Sequence, residues 1–197
     1  MKKSFVHGVL CGLAGLLLGC VSARPEKPLQ TSPVYITNSK KWHLLSPENI
    51  EKNVDGLQFF SGTFGEKQLS LQVYVKADKN EIFLSLMNDF GACMGTIFFD
   101  AQGVRFDSAV FPDNIRLEYI IADLQFAYYT EDSIRSALQK TGLDFVVETE
   151  GDREIRKIMN RKKCIMEIKK AHTAQYASIR IENFLRGYTY NLQEVRD

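Results

Sequence analysis

The chain has 197 residues, with 25 Lys+Arg against 24 Asp+Glu and 45% hydrophobic residues, among them 13 Phe, 8 Tyr and 1 Trp. It is too apolar to be wholly disordered. Its charge is too balanced for a dedicated nucleic-acid binder, which needs a basic surface to offset phosphate. The length suits one ordinary domain that can bury a real core without disulfides.

Lys2 and Lys3 open the chain as a short positive region. An apolar stretch from Val9 to Leu18 follows, too short for a stop-transfer helix. It ends in Leu17-Leu18-Gly19-Cys20, which resembles the bacterial lipoprotein signal. Small residues fit the peptidase cleft there, and the thiol takes the acyl-glycerol group. Residues 1–19 are thus expected to be a signal peptide and Cys20 the lipidated N-terminus. Losing Lys2 and Lys3 turns the formal charge from +1 to slightly acidic. Val21 stands where Asp tends to retain lipoproteins in the inner membrane, so the resemblance implies an outer-membrane anchor facing the periplasm.

Residues 20–40, with Pro25, Pro28 and Pro33, are expected to form a flexible tether, and 41–197 a single domain. Trp42 and Leu44-Leu45 open that domain, and Ser46-Pro47-Glu48-Asn49 reads as a turn or helix start. From Gly56 the pattern turns to period two. Leu69, Leu71, Val73 and Val75 alternate with polar residues, and Asp78-Lys79-Asn80 is a turn. Ile82, Leu84 and Leu86 alternate next; Phe83 and Met87 make the other face apolar too. Met94–Phe99 and Val104–Ala109 continue an antiparallel meander. Apolar residues on both faces imply a curved sheet with something packed inside it, or a cavity.

After Phe111-Pro112-Asp113 the rhythm becomes helical. Leu117, Ile120, Ile121, Leu124 and Tyr128 share one face, with Glu118 and Gln125 expected to point away. Thr130 reads as the N-cap of a second helix bearing Ile134, Ala137 and Leu138, and Thr141-Gly142 ends it. Strands resume at Leu143–Glu148, then at Arg153–Ile158, around Cys164–Lys169, at Tyr176–Ile181 and through Tyr188, Tyr190 and Leu192. About ten strands therefore flank two helices, which must cover a sheet face or plug its mouth.

Catalytic templates find no footing. Asp89, Asp107, Asp113 and Asp123 are candidate acids, but spacing implies no partner for them. Asp123, beside the apolar stripe, reads as a boundary residue bonded to backbone or to a basic neighbour. His43 and His172 stand apart from any nucleophile. No His or Cys falls at metal-ligand spacing, and no metal or cofactor is implied. Cys93 and Cys164 either form one disulfide or remain buried thiols. The basic run Arg153, Arg156, Lys157, Arg161, Lys162, Lys163, Lys169 and Lys170 reads as a solvated edge, or as a contact for anionic lipid head groups. Phe59, Phe60, Phe64, Phe83, Phe98 and Phe99 are core or the lining of an apolar cavity.

The segment Leu117-Glu118-Tyr119-Ile120-Ile121-Ala122-Asp123-Leu124-Gln125-Phe126-Ala127-Tyr128 resembles the hallmark of the DUF3261 lipoproteins, a family of unknown function. Ile181-Glu182-Asn183 with Gly187-Tyr188-Thr189-Tyr190 resembles its C-terminal motif. The resemblance covers roughly residues 40–195. It implies a mainly β fold, an incomplete antiparallel β-barrel similar to the outer-membrane lipoprotein receptor and carrier, with helices covering an acyl-chain cavity. The family often occurs beside genes for fatty-acid-like or aryl-polyene synthesis and export.

The expected function is therefore binding or transfer of an acyl-chain-bearing or aryl-polyene-like molecule. Its partners would be that lipid, the membrane through the N-terminal anchor, and envelope transport proteins. Leu117, Ile121, Leu124 and Tyr128 are expected to line the cavity, with Phe83 and Phe98 opposite. Two alternatives are a structural or assembly lipoprotein with a filled core, and an envelope-lipid-modifying enzyme using Asp123.

Overall fold

A computed structural model describes residues 31–108, 110, 116–172 and 177–194. The expected signal segment, Cys20, Asp113 and Tyr176 lie outside these residues. A short hairpin, β1 (Val34–Tyr35) and β2 (Lys41–Trp42), comes first. Five strands follow: β3 (Val54–Phe64), β4 (Lys67–Ala77), β5 (Ile82–Met87), β6 (Cys93–Asp100) and β7 (Gly103–Asp107). Helices α1 (Leu117–Tyr128) and α2 (Glu131–Gln139) then lead to β8 (Asp144–Glu150), β9 (Arg153–Asn160), β10 (Lys163–His172), β11 (Ala177–Asn183) and β12 (Tyr188–Glu194).

Ten strands make one antiparallel sheet in the order β7-β6-β5-β4-β3-β12-β11-β10-β9-β8. The sheet does not close, so the fold is an incomplete barrel. Each half is a meander of neighbouring hairpins, and β3 pairs with β12 at the join. The helices connect the two edge strands, β7 and β8. Chain that leaves one edge and returns at the other must cross the sheet, which sets α1 over the inner face.

Period-two burial fixes which residues face inward. Leu71, Val73, Val75 and Ala77 of β4 are buried, as are Ile82 and Leu84 of β5 and Ile97 and Phe99 of β6. The register shift between Cys164 and Met166 in β10 places Ile165 and Met166 inward in succession, where strict alternation would send one out. In the β5–β6 turn, Asn88 Oδ1 accepts from the backbone N–H groups of Phe90 and Ala92.

Three expectations are corrected, and that of Thr130 as N-cap holds in position. The tether ends earlier than residue 40, because Val34 and Ile36 enter the core and β1 pairs with β2. Gln125 does not point to solvent; it is fully buried. Its Oε1 accepts from Trp42 Nε1 and Leu45 N, both at 3.1 Å, and its Nε2 donates to Leu45 O at 2.8 Å. The N-terminal segment covers the face of α1 that faces away from the sheet, so a polar residue there needs partners and finds them. Thr130 holds the N-cap position without a bond to the helix backbone; its hydroxyl donates to Ser133 Oγ instead. Cys93 and Cys164 are free thiols on opposite halves of the sheet, and Cys93 is exposed rather than buried.

Candidate functional site

Between α1 and the inner sheet face lies a cavity of about 530 Å³. Its walls are Leu71, Val73, Leu84, Leu86 and Ile97 from the sheet, with Leu117, Ile120 and Leu124 from α1. The size falls within the range of ligand pockets and exceeds the voids of a filled core. A third wall is aromatic. Phe60 packs on Tyr190 at 5.3 Å between ring centres, and Phe64 on Tyr188 at 5.7 Å. Gly62 permits this packing: a Cβ there would stand 2.9 Å from Phe64 Cε2 and 3.0 Å from Tyr190 Cβ.

The expected lining residues divide. Leu117 and Leu124 line the cavity. Ile121 is wholly enclosed in the core beside it. Tyr128, one turn below Leu124, lines instead a second, more polar cavity of about 570 Å³ at the other end of α1, with Gln58, Glu154 and Lys170. Phe83 and Phe98 do not oppose α1. Ile82 and Leu84 flank Phe83, and Ile97 and Phe99 flank Phe98, all facing inward, so both rings point out. They pack on one another at 4.7 Å with their planes tilted by 43°, and Arg105 lies 5.8 Å over Phe98. Of the remaining aromatics, Phe99 is core and Phe59 is exposed on the outer face.

Among the described residues, Asp123 is the one carboxylate lining the apolar cavity. It bonds neither backbone nor a cation among the described residues. Tyr188 Oη donates to its Oδ2 at 2.7 Å and Tyr190 Oη at 3.2 Å. Burial pushes its pKa up to about 7, against the lowering effect of the two hydroxyls and of Arg186. Burial and the neighbouring carboxylate also hold both tyrosines well above their ordinary range. The tyrosines thus stay protonated at neutral pH, while Asp123 gains and loses its proton close to it.

This carboxyl makes stability depend on pH. Its folded pKa lies above the unfolded value of 3.8, so it weakens the fold as pH rises from about 4 to about 7, and the loss persists above that. Asp123→Asn, which does not titrate, gains on the native protein across that window by a few kcal/mol, because each tenfold change in proton affinity is worth about 1.4 kcal/mol. Urea unfolding of both proteins at pH 5 and pH 8 checks this, and a difference independent of pH refutes it.

The basic run separates by position. Arg156 is not on a solvated edge; it is 1% exposed and takes part in a buried network. Lys157 pairs with Glu148 at 2.6 Å and Lys170 with Glu154 at 2.9 Å. Arg161, Lys162 and Lys163 stay exposed at the β9–β10 turn. That turn shares an end of the sheet with the β3–β4, β5–β6 and β11–β12 turns and with the start of α1. The same end carries exposed Phe64, Leu69, Phe90, Val110, Phe184 and Leu185, and Phe90 is 95% exposed at the tip of its turn. Among the described residues, the opposite end has turns of Asp78-Lys79-Asn80, Ala101-Gln102 and Gly151-Asp152, with no exposed large apolar side chain.

Residues that sequence reading left out complete the cavity mouth. Tyr119, Arg116 and Arg186 line it, and both guanidiniums lie over the Tyr119 ring, at 5.5 and 4.6 Å from its centre. A signal existed for Tyr188 and Tyr190: two residues apart on one strand, they share a face, as Asp123 requires. Nothing in the local sequence joins Arg116 to Arg186, seventy residues later.

Fold and site together define a class: an antiparallel half-barrel whose helix covers an apolar cavity open at one end. The chain belongs to the DUF3261 family, described as a protein of unknown function, whose model matches residues 57–196. No curated protein matches the chain. Among the described residues, no helix is long and apolar enough to cross a membrane.

Proposed function

We propose that this protein is an envelope lipoprotein that holds, and passes on, a molecule bearing an acyl or aryl-polyene-like chain. The cavity carries this reading. An apolar space of about 530 Å³ beside a packed core costs lost contacts unless a guest fills it. The filled core of a purely structural lipoprotein would leave no such space.

A second observation favours exchange at a membrane. Apolar tips and the Arg161-Lys162-Lys163 turn share the end at which the cavity opens. Apolar side chains that enter a lipid surface beside cations that meet anionic head groups are the pattern of an interfacial contact. Cys20 would supply the anchor, on an outer membrane and facing the periplasm. The similarity to the lipoprotein-carrier fold belongs to the same proposal, as do envelope transport proteins that deliver or receive the guest.

Transfer of this kind needs no bond chemistry, only exchange of apolar burial. Affinity is expected to climb with chain length, by up to about 0.8 kcal/mol per methylene until the cavity fills. Lipid extraction of the purified protein with mass spectrometry, then titration with alkyl ligands of graded length in detergent-free buffer, tests it. Binding that does not change with chain length overturns the reading.

A further inference from the structure

We propose that the guest is a single-chain amphiphile with an anionic head, and that Arg186 at the cavity mouth recognises that head with Arg116 beside it. This rests on the reading of the cavity as a chain-binding site and adds the chemistry of the polar end.

The walls deeper in are aliphatic and aromatic apart from Asp123, and the cations Arg116 and Arg186 stand at the opening. Arg186 is exposed in the turn before β12. Its guanidinium stacks on Tyr119, and its Nη2 donates to Tyr119 Oη at 3.3 Å and to the Tyr35 carbonyl. These bonds orient the group without neutralising it. Among the described residues no carboxylate lies within ion-pair distance of Arg186. Arg116 has Glu118 at 3.5 Å, so its charge is partly answered.

Two cations held near one ring repel each other, and an oxyanion beside them relieves the repulsion. The planar fork of a guanidinium matches carboxylate and phosphate oxygens. Asp123, the carboxylate best placed to answer Arg186, has its Oδ2 taken by Tyr188 and Tyr190. The mouth thus sets an orientated guanidinium, without an ion pair among the described residues, above an apolar space. A neutral head gains no ion pair there, and a cationic head meets two guanidiniums. A carboxylate or phosphate on a straight chain satisfies both halves of the site.

Displacement of the neutral probe N-phenyl-1-naphthylamine from the purified protein tests this. Dodecanoate, dodecyl phosphate, dodecanol and dodecylamine share a chain and differ in the head. Both anions are expected to displace the probe at concentrations about tenfold below dodecanol, with dodecylamine weakest. Arg186→Gln should remove that preference, and a urea unfolding curve of the variant shows that it folds. Arg116→Gln should reduce the preference less. If dodecanol matches dodecanoate on the native protein, or if Arg186→Gln keeps the preference, the head assignment is wrong while chain binding stands. If none of the four displaces the probe, the chain-binding reading itself is wrong.

Discussion

Arg156→Met is expected to destabilise the protein by about 3–5 kcal/mol, the range for breaking one side of a buried charge network. The side chain is 1% exposed. Its Nη1 donates to the carbonyls of Tyr129 at 2.6 Å and Phe126 at 3.2 Å, at the C-terminal end of α1. Its Nη2 and Nε meet Glu51 at 2.9 Å and Glu154 at 2.5 Å. One guanidinium therefore ties the end of the cavity helix to β9 and to the segment before β3. Helix C-terminal carbonyls carry partial negative charge, which a cation offsets. Methionine fills most of the space but supplies no donor. Two carbonyls lose their partner, and Lys170 alone remains near both carboxylates. In a domain of this size the loss lowers Tm by about 10 °C. Adding Glu154→Gln should recover part of it, since one carboxylate then no longer needs a cation. Denaturant titration of the single and double variants decides the matter. A single-variant loss under about 1 kcal/mol would show that the network contributes little.

Leu86→Trp gives the second large effect, on binding rather than on folding. Leu86 faces the cavity, half-buried, opposite Gly95 of β6. The indole would extend into open space instead of compressing packed side chains, so the usual strain of over-packing does not arise. Stability should change by less than about 1 kcal/mol, as β strands accept Trp. Affinity for long-chain ligands should fall at least about tenfold, because the volume that receives the chain is occupied. Isothermal titration with dodecanoate, beside an unfolding curve, separates the two readouts. Unchanged affinity with an intact fold would place the ligand elsewhere.

Much of this fold is legible in the sequence. The helical stripe of Leu117, Ile121 and Leu124 gives α1 to its observed ends, and alternation gives β4, β5 and β6. The errors share a physical origin. Periodicity assumes one buried face per element. Helix α1 is covered on both sides, so Gln125 is read outward although it is enclosed. Strands β5 and β6 are apolar on both faces, so Phe83 and Phe98 are as plausible inside as outside until the register of their neighbours is known. Arg156 looks like a surface cation because its partners, Glu51 and two helix carbonyls, are distant in sequence. The cavity mouth is illegible for the same reason. It forms where the start of α1 meets a turn that the chain reaches only after α2 and four more strands.

The unclosed edges of the sheet have a mechanical consequence. In a closed barrel, strand number and stagger fix the girth, and widening it breaks a hydrogen-bonded ladder. Here every ladder runs between neighbours from β7 to β8, and none spans the gap. The two halves are free to splay about the β3–β12 join with each ladder intact. Girth is then governed by what lies between the halves, which is α1 and its guest. The wall behaves as a spring clip, whose opening follows the thickness of whatever it encloses.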